Sequence, residues 1–271
     1  ASPAIYILRD SKKDIGVCII FLMMPLLFYI YGSSYKEVFN TSDVVSYNYK
    51  VRAVSSNISL DRFYSNIDSV SVINELIDVS DPNINEKTIF VWPEGILPDI
   101  SQKELIEYKW LFEERFNKNH LLLIGINSQT TKKEHIDYFN SLSIYDHNLK
   151  LLDFYNKINL VPFGEFLPIE NILKALGLKV ITNNYQSFSK GKKRDIIEIN
   201  RAGFSLKILP LICYEIIYSG KIFKNSNFDL IINISEDGWF GKSIGPNQHF
   251  VHSIFRAVES GKYLLRSANN G

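Results

Sequence analysis

The stretch FSLKILPLICYEIIY, residues 204–218, decides the fold and contains the most informative cysteine of the chain. Its first nine residues are mostly apolar, which predicts a buried strand at Phe204–Ile212. Cys213 follows directly, and the pattern predicts that a helix starts there. Such a sharp turn exposes the side chain and brings backbone N–H groups close to it. Cys213 is therefore a candidate nucleophile whose thiolate the helix start would favour, although an ordinary buried cysteine has the same local pattern.

Other apolar runs on both sides of this stretch predict an alternation of strands and helices. Strands are predicted at Tyr49–Ser55, Thr88–Trp92, Leu121–Ile126, Tyr138–Tyr145, Leu230–Ile234 and Tyr263–Arg266. Helices are predicted at Leu60–Val79, at Gln102–Asn117 with Trp110, Leu111 and Phe112 on its apolar side, and at Asn247–Ser260. Apolar strands interleaved with helices indicate a layered α/β domain.

Two charged residues lie in predicted loops where α/β proteins often place functional groups. Glu94, in FVWPEGILP, comes just after a predicted strand, the usual position of α/β active-site residues. Lys157, in LLDFYNKINLVPFGEFLP, precedes a segment rich in proline, glycine and aromatics, with Glu165 eight residues later. Taken singly, they could be a solvated turn carboxylate and a surface lysine. Together with Cys213 they supply a base, a positive charge and a nucleophile.

An uncharged apolar block, IGVCIIFLMMPLLFYIY, occupies residues 15–31. As a helix it would be about 25 Å long, and the hydrocarbon core of a bilayer is about 30 Å thick. We therefore predict a transmembrane helix at residues 15–32. A cleaved signal sequence and a buried core helix are the alternatives, although the apolar part of a signal is usually shorter, about 7–15 residues.

Positive residues are more frequent before this block than after it. Arg9, Lys12 and Lys13 precede it, and only Lys36 lies close behind it. Because positive charge favours the cytoplasmic side, we expect the N-terminus in the cytoplasm and everything after about residue 33 outside it.

The chain is thus predicted to have four parts. Residues 1–14 form a cytoplasmic or inter-helix segment, 15–32 a transmembrane helix, 33–48 a polar linker, and 49–271 a catalytic domain. The chain begins with Ala1 and ends at Gly271, straight after a patterned stretch. We therefore expect a fragment that is truncated at both ends.

Composition excludes some functional classes and leaves others open. Lys and Arg total 30 and Asp and Glu total 29, so the chain lacks the excess of positive charge typical of a nucleic-acid binder. Cys18 lies in the apolar block, so a disulfide with Cys213 is not expected if that block is in lipid. His249 and His252 share one helix face, where packing or solvent contact is the expected role. With no His/Cys cluster of ligand spacing, we predict no metal site and no cofactor.

Five longer segments carry a resemblance to a known family. They are WPEGILP at 92–98, YNKINLVPFGEFLP at 155–168, ICYEIIY at 212–218, NISEDGWFGKSIGPNQHF at 233–250 and RAVESGKYLLRSANNG at 256–271. They resemble the nitrilase (carbon–nitrogen hydrolase) superfamily and, more narrowly, the apolipoprotein N-acyltransferase family of bacterial inner membranes. The resemblance covers essentially residues 49–271. It implies a nitrilase-like αββα sandwich preceded by a transmembrane helix.

The resemblance also implies roles for individual residues. Glu94, Lys157 and Cys213 would form the family's catalytic triad, with the Tyr214 N–H as oxyanion donor. Supporting roles fall to Glu165 and Glu215, and contacts with substrate to Trp239, Phe240, Phe163 and Tyr64.

The sequence departs from the family pattern at two places. Glu236-Asp237-Gly238 stands where the family usually has Asn-Asp. Ser55-Ser56-Asn57-Ile58 stands for Gln-Pro-Asn-Ile, with Phe63 and Tyr64 near the place of a family tryptophan.

The implied reaction is transfer of a fatty acyl chain through a cysteine thioester. The donor would be a phospholipid, with phosphatidylethanolamine expected, and the acceptor the N-terminal diacylglyceryl-cysteine of an apolipoprotein. The enzyme would be a monomer in the bacterial inner membrane with its catalytic domain facing the periplasm. A membrane-tethered amidase and a non-catalytic lipid-binding domain are the alternatives.

Overall fold

A computed structural model describes residues 6–7, 11–41, 46–64, 68–132, 135–168, 187–220, 222 and 227–271. The chain divides into two units, residues 1–47 and residues 48–271. Each unit is described by itself below.

The first unit contains one long apolar helix, α1, at Lys12–Thr41, with Pro25 inside it. Its segment Lys12–Val38 has 27 residues and a mean hydropathy of 2.2, so by length and composition it could cross a membrane. The helix extends beyond the predicted span, so residues 33–41 are helical where a linker was expected. The Thr41 hydroxyl donates to the carbonyl oxygen of Glu37 at 3.0 Å, which satisfies a backbone acceptor at the helix end. Residues 42–45 of the predicted linker lie outside the described residues.

Two sheets form the centre of the second unit. The first has the order β1 (Lys50–Ala53), β2 (Thr88–Val91), β3 (His120–Lys132), β4 (His135–Asp146) and β5 (Leu151–Asn156). Its first three strands are parallel, and β4 runs antiparallel to both β3 and β5. The second sheet has the order β6 (Ile197–Arg201), β7 (Phe204–Ile212), β8 (Leu230–Glu236) and β9 (Tyr263–Asn269). In it, β7, β8 and β9 are parallel and β6 is antiparallel to β7.

An apolar core joins the two sheets face to face. Ile89, Leu123 and Ile144 of the first sheet pack in one cluster with Ile208 and Ile232 of the second. Because side chains alternate between the faces of a strand, the neighbouring residues form separate outer cores. Helices α2 (Ser69–Ser80) and α3 (Lys109–Glu113) cover the outer face of the first sheet. Helix α4 (Gly245–Ser260) packs against β9 and the turn after β7. The predicted αββα sandwich is confirmed.

Some predicted elements differ in detail. The helix predicted at Leu60–Val79 is a 3-10 helix at Leu60–Phe63 and the α-helix α2, because Ser59 and Asp68 cap separate N-termini. The helix predicted at Gln102–Asn117 is a 3-10 helix at Glu104–Tyr108 followed by α3. Trp110 is 59% exposed and does not join the core with Leu111 and Phe112.

Candidate active site

The carboxyl ends of several strands bring the candidate residues together. Glu94 and Lys157 follow β2 and β5, which point in the same direction within the first sheet. Cys213 and Glu236 lie at the ends of the parallel strands β7 and β8 of the second sheet. Each sheet therefore contributes part of one polar cluster.

Glu94, Lys157 and Glu165 form a buried ionic cluster. The Lys157 ammonium lies 3.0 Å from Oε1 of Glu94 and 2.9 Å from Oε1 of Glu165. The amide of Asn140, in β4, donates to the same two oxygens at 2.7 Å each. Glu165 also accepts from the Val161 N–H at 2.9 Å, which fixes its loop. The sequence predicted the three charged residues, whereas Asn140 was missed.

The Glu94 loop is seated tightly on the first sheet. A Cβ atom on Gly125, in β3, would lie 2.2 Å from the carbonyl oxygen of Pro93 and 2.6 Å from the Cα of Glu94. Only glycine allows this close approach of two backbone segments. The Glu94 side chain is therefore placed by backbone packing as well as by its hydrogen bonds.

Cys213 occupies a strained turn. Its φ of +47° lies in the left-handed region, which costs a non-glycine residue roughly 1–2 kcal/mol. A 3-10 helix of five residues, Cys213–Ile217, starts at this turn instead of the predicted α-helix. Backbone strain of this kind is typical of functional sites.

Burial raises the pKa of Cys213 to about 12. The Glu94 carboxylate contributes to this rise, while the Lys157 charge and a hydrogen bond with Ser235 oppose it. The expectation that the helix start favours the thiolate is therefore wrong, because loss of solvent outweighs the nearby positive charge. A neutral thiol next to a carboxylate requires a base to accept its proton.

Lys157 stays charged although it is fully buried. Burial alone would lower its pKa, but the charges of Glu94, Cys213 and Glu165 raise it above its usual value. The lysine is thus a buried, fixed positive charge whose neighbours include Glu94, Glu165 and Cys213.

Glu215 connects the turn at Cys213 to the loop that begins at Lys157. Its Oε2 accepts from the Ile212 N–H at 2.9 Å, and its Oε1 accepts from the N–H groups of Ile158 and Asn159 at 3.0 and 3.1 Å. Tyr155 and Arg194 also donate to Oε1 at 2.7 and 2.6 Å. Glu215 is therefore a buried structural carboxylate that fixes the spacing of two candidate loops.

Comparison with known proteins identifies the family to which this chain belongs. The sequence profile of the carbon–nitrogen hydrolases matches residues 90–271, more than half of the chain. The chain belongs to the carbon–nitrogen hydrolase family. Solved structures support the fold: a carbon–nitrogen hydrolase from Helicobacter pylori G27 superposes with a TM-score of 0.54 and 13% identity, covering 82% of this chain and 73% of that one. Nit3 of Saccharomyces cerevisiae gives 0.52 and 17%, covering 84% and 78%.

Curated relatives of the chain are named apolipoprotein N-acyltransferases. The chain is 37% identical over 234 residues to the apolipoprotein N-acyltransferase of Wigglesworthia glossinidia brevipalpis, covering 82% of this chain and 44% of the relative. It is 31% identical over 238 residues to that of Bradyrhizobium diazoefficiens, covering 82% and 43%. The chain therefore spans less than half of the length of these relatives.

Glu236, where the sequence departs from the family pattern, is paired with Arg62. The two side chains form an ion pair, and each is only 1% exposed. The Arg62 guanidinium also donates to the carbonyl oxygens of Ile58 and Ser59 and lies over the ring of Phe63. The Glu236 N–H donates to Oε2 of Glu94 at 3.0 Å, so this pair anchors a backbone group that holds the candidate base.

The second departure from the family pattern, Ser55-Ser56-Asn57-Ile58, is hydrogen-bonded to β9. Ser55 donates to the carbonyl oxygen of Ala268 at 2.8 Å, and Ser56 donates to Oδ1 of Asn269 at 3.2 Å. Asn269 in turn donates to Oε2 of Glu236 at 2.7 Å.

His249 contacts the turn at Cys213, which the sequence did not predict. It is buried on α4, with Nε2 3.1 Å from the carbonyl oxygen of Cys213 and Nδ1 2.9 Å from Oδ1 of Asp237. Asp237 also accepts from Arg266, at 2.6 and 2.8 Å, and from Ser235 at 2.7 Å. Burial raises the pKa of Asp237, but hydrogen bonding to His249 and the Arg266 charge outweigh it and lower that pKa to about 2.

Aromatic residues expected to contact substrate are exposed. The rings of Phe63 and Tyr64 lie 5.0 and 6.3 Å from that of Trp239, and Tyr64 and Trp239 are 76% and 53% exposed. The Phe240 ring is exposed and lies 5.5 Å from His249. Phe163 is exposed in the loop that contains Glu165 and is not grouped with the others by any described contact. Tyr214 follows Cys213 in the first turn of the 3-10 helix, where N–H groups lack partners within the helix.

Proposed function

We propose that this chain is the catalytic part of a membrane N-acyltransferase that moves a fatty acyl chain from a phospholipid to the N-terminal diacylglyceryl-cysteine of an apolipoprotein. The observation that carries this proposal is the position of a partly buried thiol at a strained turn beside the Glu94–Lys157 ion pair. That set supplies a nucleophile, a base and a fixed positive charge for acyl chemistry. The choice of acceptor follows the name of the similar relatives.

The first half-reaction forms a thioester. Glu94 accepts the thiol proton, and the Cys213 sulfur attacks the ester carbonyl carbon of the phospholipid. Lys157 and the Tyr214 N–H stabilise the tetrahedral oxyanion. The carbon–oxygen ester bond then breaks, Glu94 returns the proton to the leaving alkoxide, and a lysophospholipid departs.

The second half-reaction forms an amide. The α-amine of the diacylglyceryl-cysteine attacks the thioester carbonyl, and Glu94 accepts a proton from the nitrogen. The carbon–sulfur bond breaks, the amide is released, and the proton returns to the Cys213 sulfur. No cofactor or metal is required for either half-reaction.

Several features favour lipid substrates over small amides. The exposed rings of Tyr64, Trp239, Phe240 and Phe163 offer apolar contact for acyl chains or a membrane surface. The candidate span in α1 would keep the chain in the bilayer that holds both substrates. We place the protein as a monomer in the bacterial inner membrane, with the catalytic domain facing the periplasm and phosphatidylethanolamine as the donor.

Intact mass spectrometry of the full chain in detergent micelles tests the proposal. Incubation with phosphatidylethanolamine should add one acyl mass to Cys213, and a diacylglyceryl-cysteine peptide should remove it and gain the same mass. Cys213→Ser should give no thioester, and Glu94→Gln should reduce adduct formation strongly.

Two results would contradict the proposal. One is the absence of any adduct on the folded chain. The other is release of ammonia from simple amides at rates above those of acyl transfer, which would instead identify an amidase.

A further inference from the structure

His249 approaches Cys213 through the backbone rather than through the thiol. Its Nε2 lies 3.1 Å from the Cys213 carbonyl oxygen. Because a carbonyl oxygen can only accept, the Nε2 atom carries the hydrogen and donates it. At Nδ1, the ring either donates to Asp237 or accepts from Arg266, which lie 2.9 and 3.0 Å away. In both arrangements the Nε2–H group of His249 donates to the Cys213 carbonyl oxygen.

The carbonyl of Cys213 and the N–H of Tyr214 belong to one peptide group. In a trans peptide the two point in opposite directions, and no cis peptide occurs among the described residues. A hydrogen bond received by the carbonyl oxygen therefore withdraws electron density from the N–H on the opposite side. The Tyr214 N–H becomes a stronger donor.

We propose that His249 is a positioning residue that orients and polarises the Cys213–Tyr214 peptide group, so that its N–H can stabilise the oxyanion formed during acyl transfer. This inference rests on the proposed function. Sequence position alone gives no sign of it, because His249 lies 36 residues from Cys213 on a different element.

The surroundings of His249 fix its ring in this orientation. The ring is 4% exposed and contacts the Phe240 ring. Asp237 is held in turn by Ser235 at the end of β8 and by Arg266 in β9, which also donates to Asn233. The donor to the nucleophile turn is thus supported from the strand next to β7, from the strand beyond it and from α4.

Because the backbone at Cys213 is strained, this hydrogen bond also holds the adjoining peptide group in place. A residue with a φ of +47° gains by rotating its adjoining peptide groups toward a relaxed conformation. Rotation of the 213–214 peptide would turn the Tyr214 N–H away from the position of the oxyanion. The His249 donor opposes this rotation.

Single-turnover acylation of the full chain by phosphatidylethanolamine in mixed micelles tests the proposal. His249→Ala should slow thioester formation by about tenfold to a hundredfold, since loss of a complete oxyanion donor costs about 10²–10³. His249→Gln, whose amide can still donate to the carbonyl, should recover part of that loss. His252→Ala, on the same helix and outside this network, should match the unaltered chain.

Alkylation of Cys213 by iodoacetamide separates this role from a structural one. In that reaction the sulfur displaces iodide and no oxyanion forms. His249→Ala should therefore alkylate within about twofold of the unaltered chain at the same pH, while its acylation is slow.

Three outcomes have distinct meanings. Equal acylation rates for His249→Ala and the unaltered chain would overturn the proposal. A parallel fall in acylation and alkylation would also overturn it, because it would show that the thiol is displaced. Absence of acylation in the unaltered chain would instead reject the proposed function and remove the basis of the inference.

Discussion

The amide nitrogen of Asn140 lies 2.7 Å from Oε1 of Glu94, the candidate base. The same nitrogen lies 2.7 Å from Oε1 of Glu165, so one neutral side chain bridges two carboxylates. Lys157 contributes a single positive charge between them. Asn140 therefore satisfies negative oxygens without altering the net charge of the cluster.

The effect of substituting Asn140 should depend more on the charge of the new side chain than on its size. Asn140→Asp would add a third carboxylate beside one ammonium, whereas Asn140→Ala removes two hydrogen bonds to charged groups, each contributing about 1.5–3 kcal/mol. We expect both to slow single-turnover acylation, with Asn140→Asp the slower by at least tenfold. An Asn140→Asp chain that acylates as fast as Asn140→Ala would show that the cluster tolerates another charge.

Glu94→Gln should affect two reactions of Cys213 in opposite directions. Glu94 raises the pKa of the thiol, so loss of its charge, with Lys157 still paired to Glu165, lowers that pKa from about 12. Iodoacetamide should then alkylate Cys213 faster at pH 8. Acyl transfer, which needs the base, should fall by about 10²–10⁴. Slower alkylation in this variant would contradict the electrostatic role assigned to Glu94.

Asp237 should make folding stability sensitive to acid. Its pKa is lowered to about 2 in the folded chain, against about 3.9 in an unfolded one. The resulting stabilisation, on the order of 2 kcal/mol, is complete above about pH 4 and is lost as the pH falls toward 2. The difference in melting temperature between the unaltered chain and Asp237→Asn should therefore shrink between pH 5 and pH 3. A constant difference over that range would argue against an ionised Asp237.

The buried Arg62–Glu236 pair should show strong coupling in a double-mutant cycle. Arg62→Met leaves a carboxylate unpaired at a site only 1% exposed, which should cost about 3–5 kcal/mol of unfolding free energy. Adding Glu236→Gln should restore a large part of that loss. The exposed pair Lys109–Glu113 is the control, and Lys109→Met there should change stability by about 1 kcal/mol or less. Additive effects at Arg62 and Glu236 would mean that the pair does not act as a unit.

The strands predicted most accurately from sequence are buried strands that consist of continuous apolar runs. The predicted bounds of β7 agree with the structure, and the bounds of β2 differ by one residue. Strands β5 and β6 were not predicted. Each lies at the edge of its sheet, and their segments LLDFYN and IEINR mix apolar and polar residues and bury only a few side chains. Edge strands have a weak periodic signal because half-exposed positions accept many residue types.

Glu94 and Cys213 were found from sequence because they lie just after predicted strands, where position itself indicates function. Lys157 was found instead from the segment rich in proline, glycine and aromatics that follows it. Asn140 and His249 lie inside a strand and a helix, where a polar residue is usually explained by packing. Asn140 reaches Glu94 across 46 residues and Arg62 reaches Glu236 across 174. Such contacts depend on strand register and on how the sheets pack. Neither can be predicted from local patterns in a single sequence.

The division of the polar cluster between two sheets makes the ionisation of Cys213 depend on how the two sheets pack. Glu94 and Lys157 follow strands of the first sheet, and Cys213 follows a strand of the second. In a partly folded chain whose sheets have not yet docked, the thiol would ionise near pH 8.5 like an ordinary cysteine. Docking buries it and raises its pKa to about 12. Docking of the sheets therefore favours the neutral, less reactive form of the thiol and also brings it beside the candidate base Glu94.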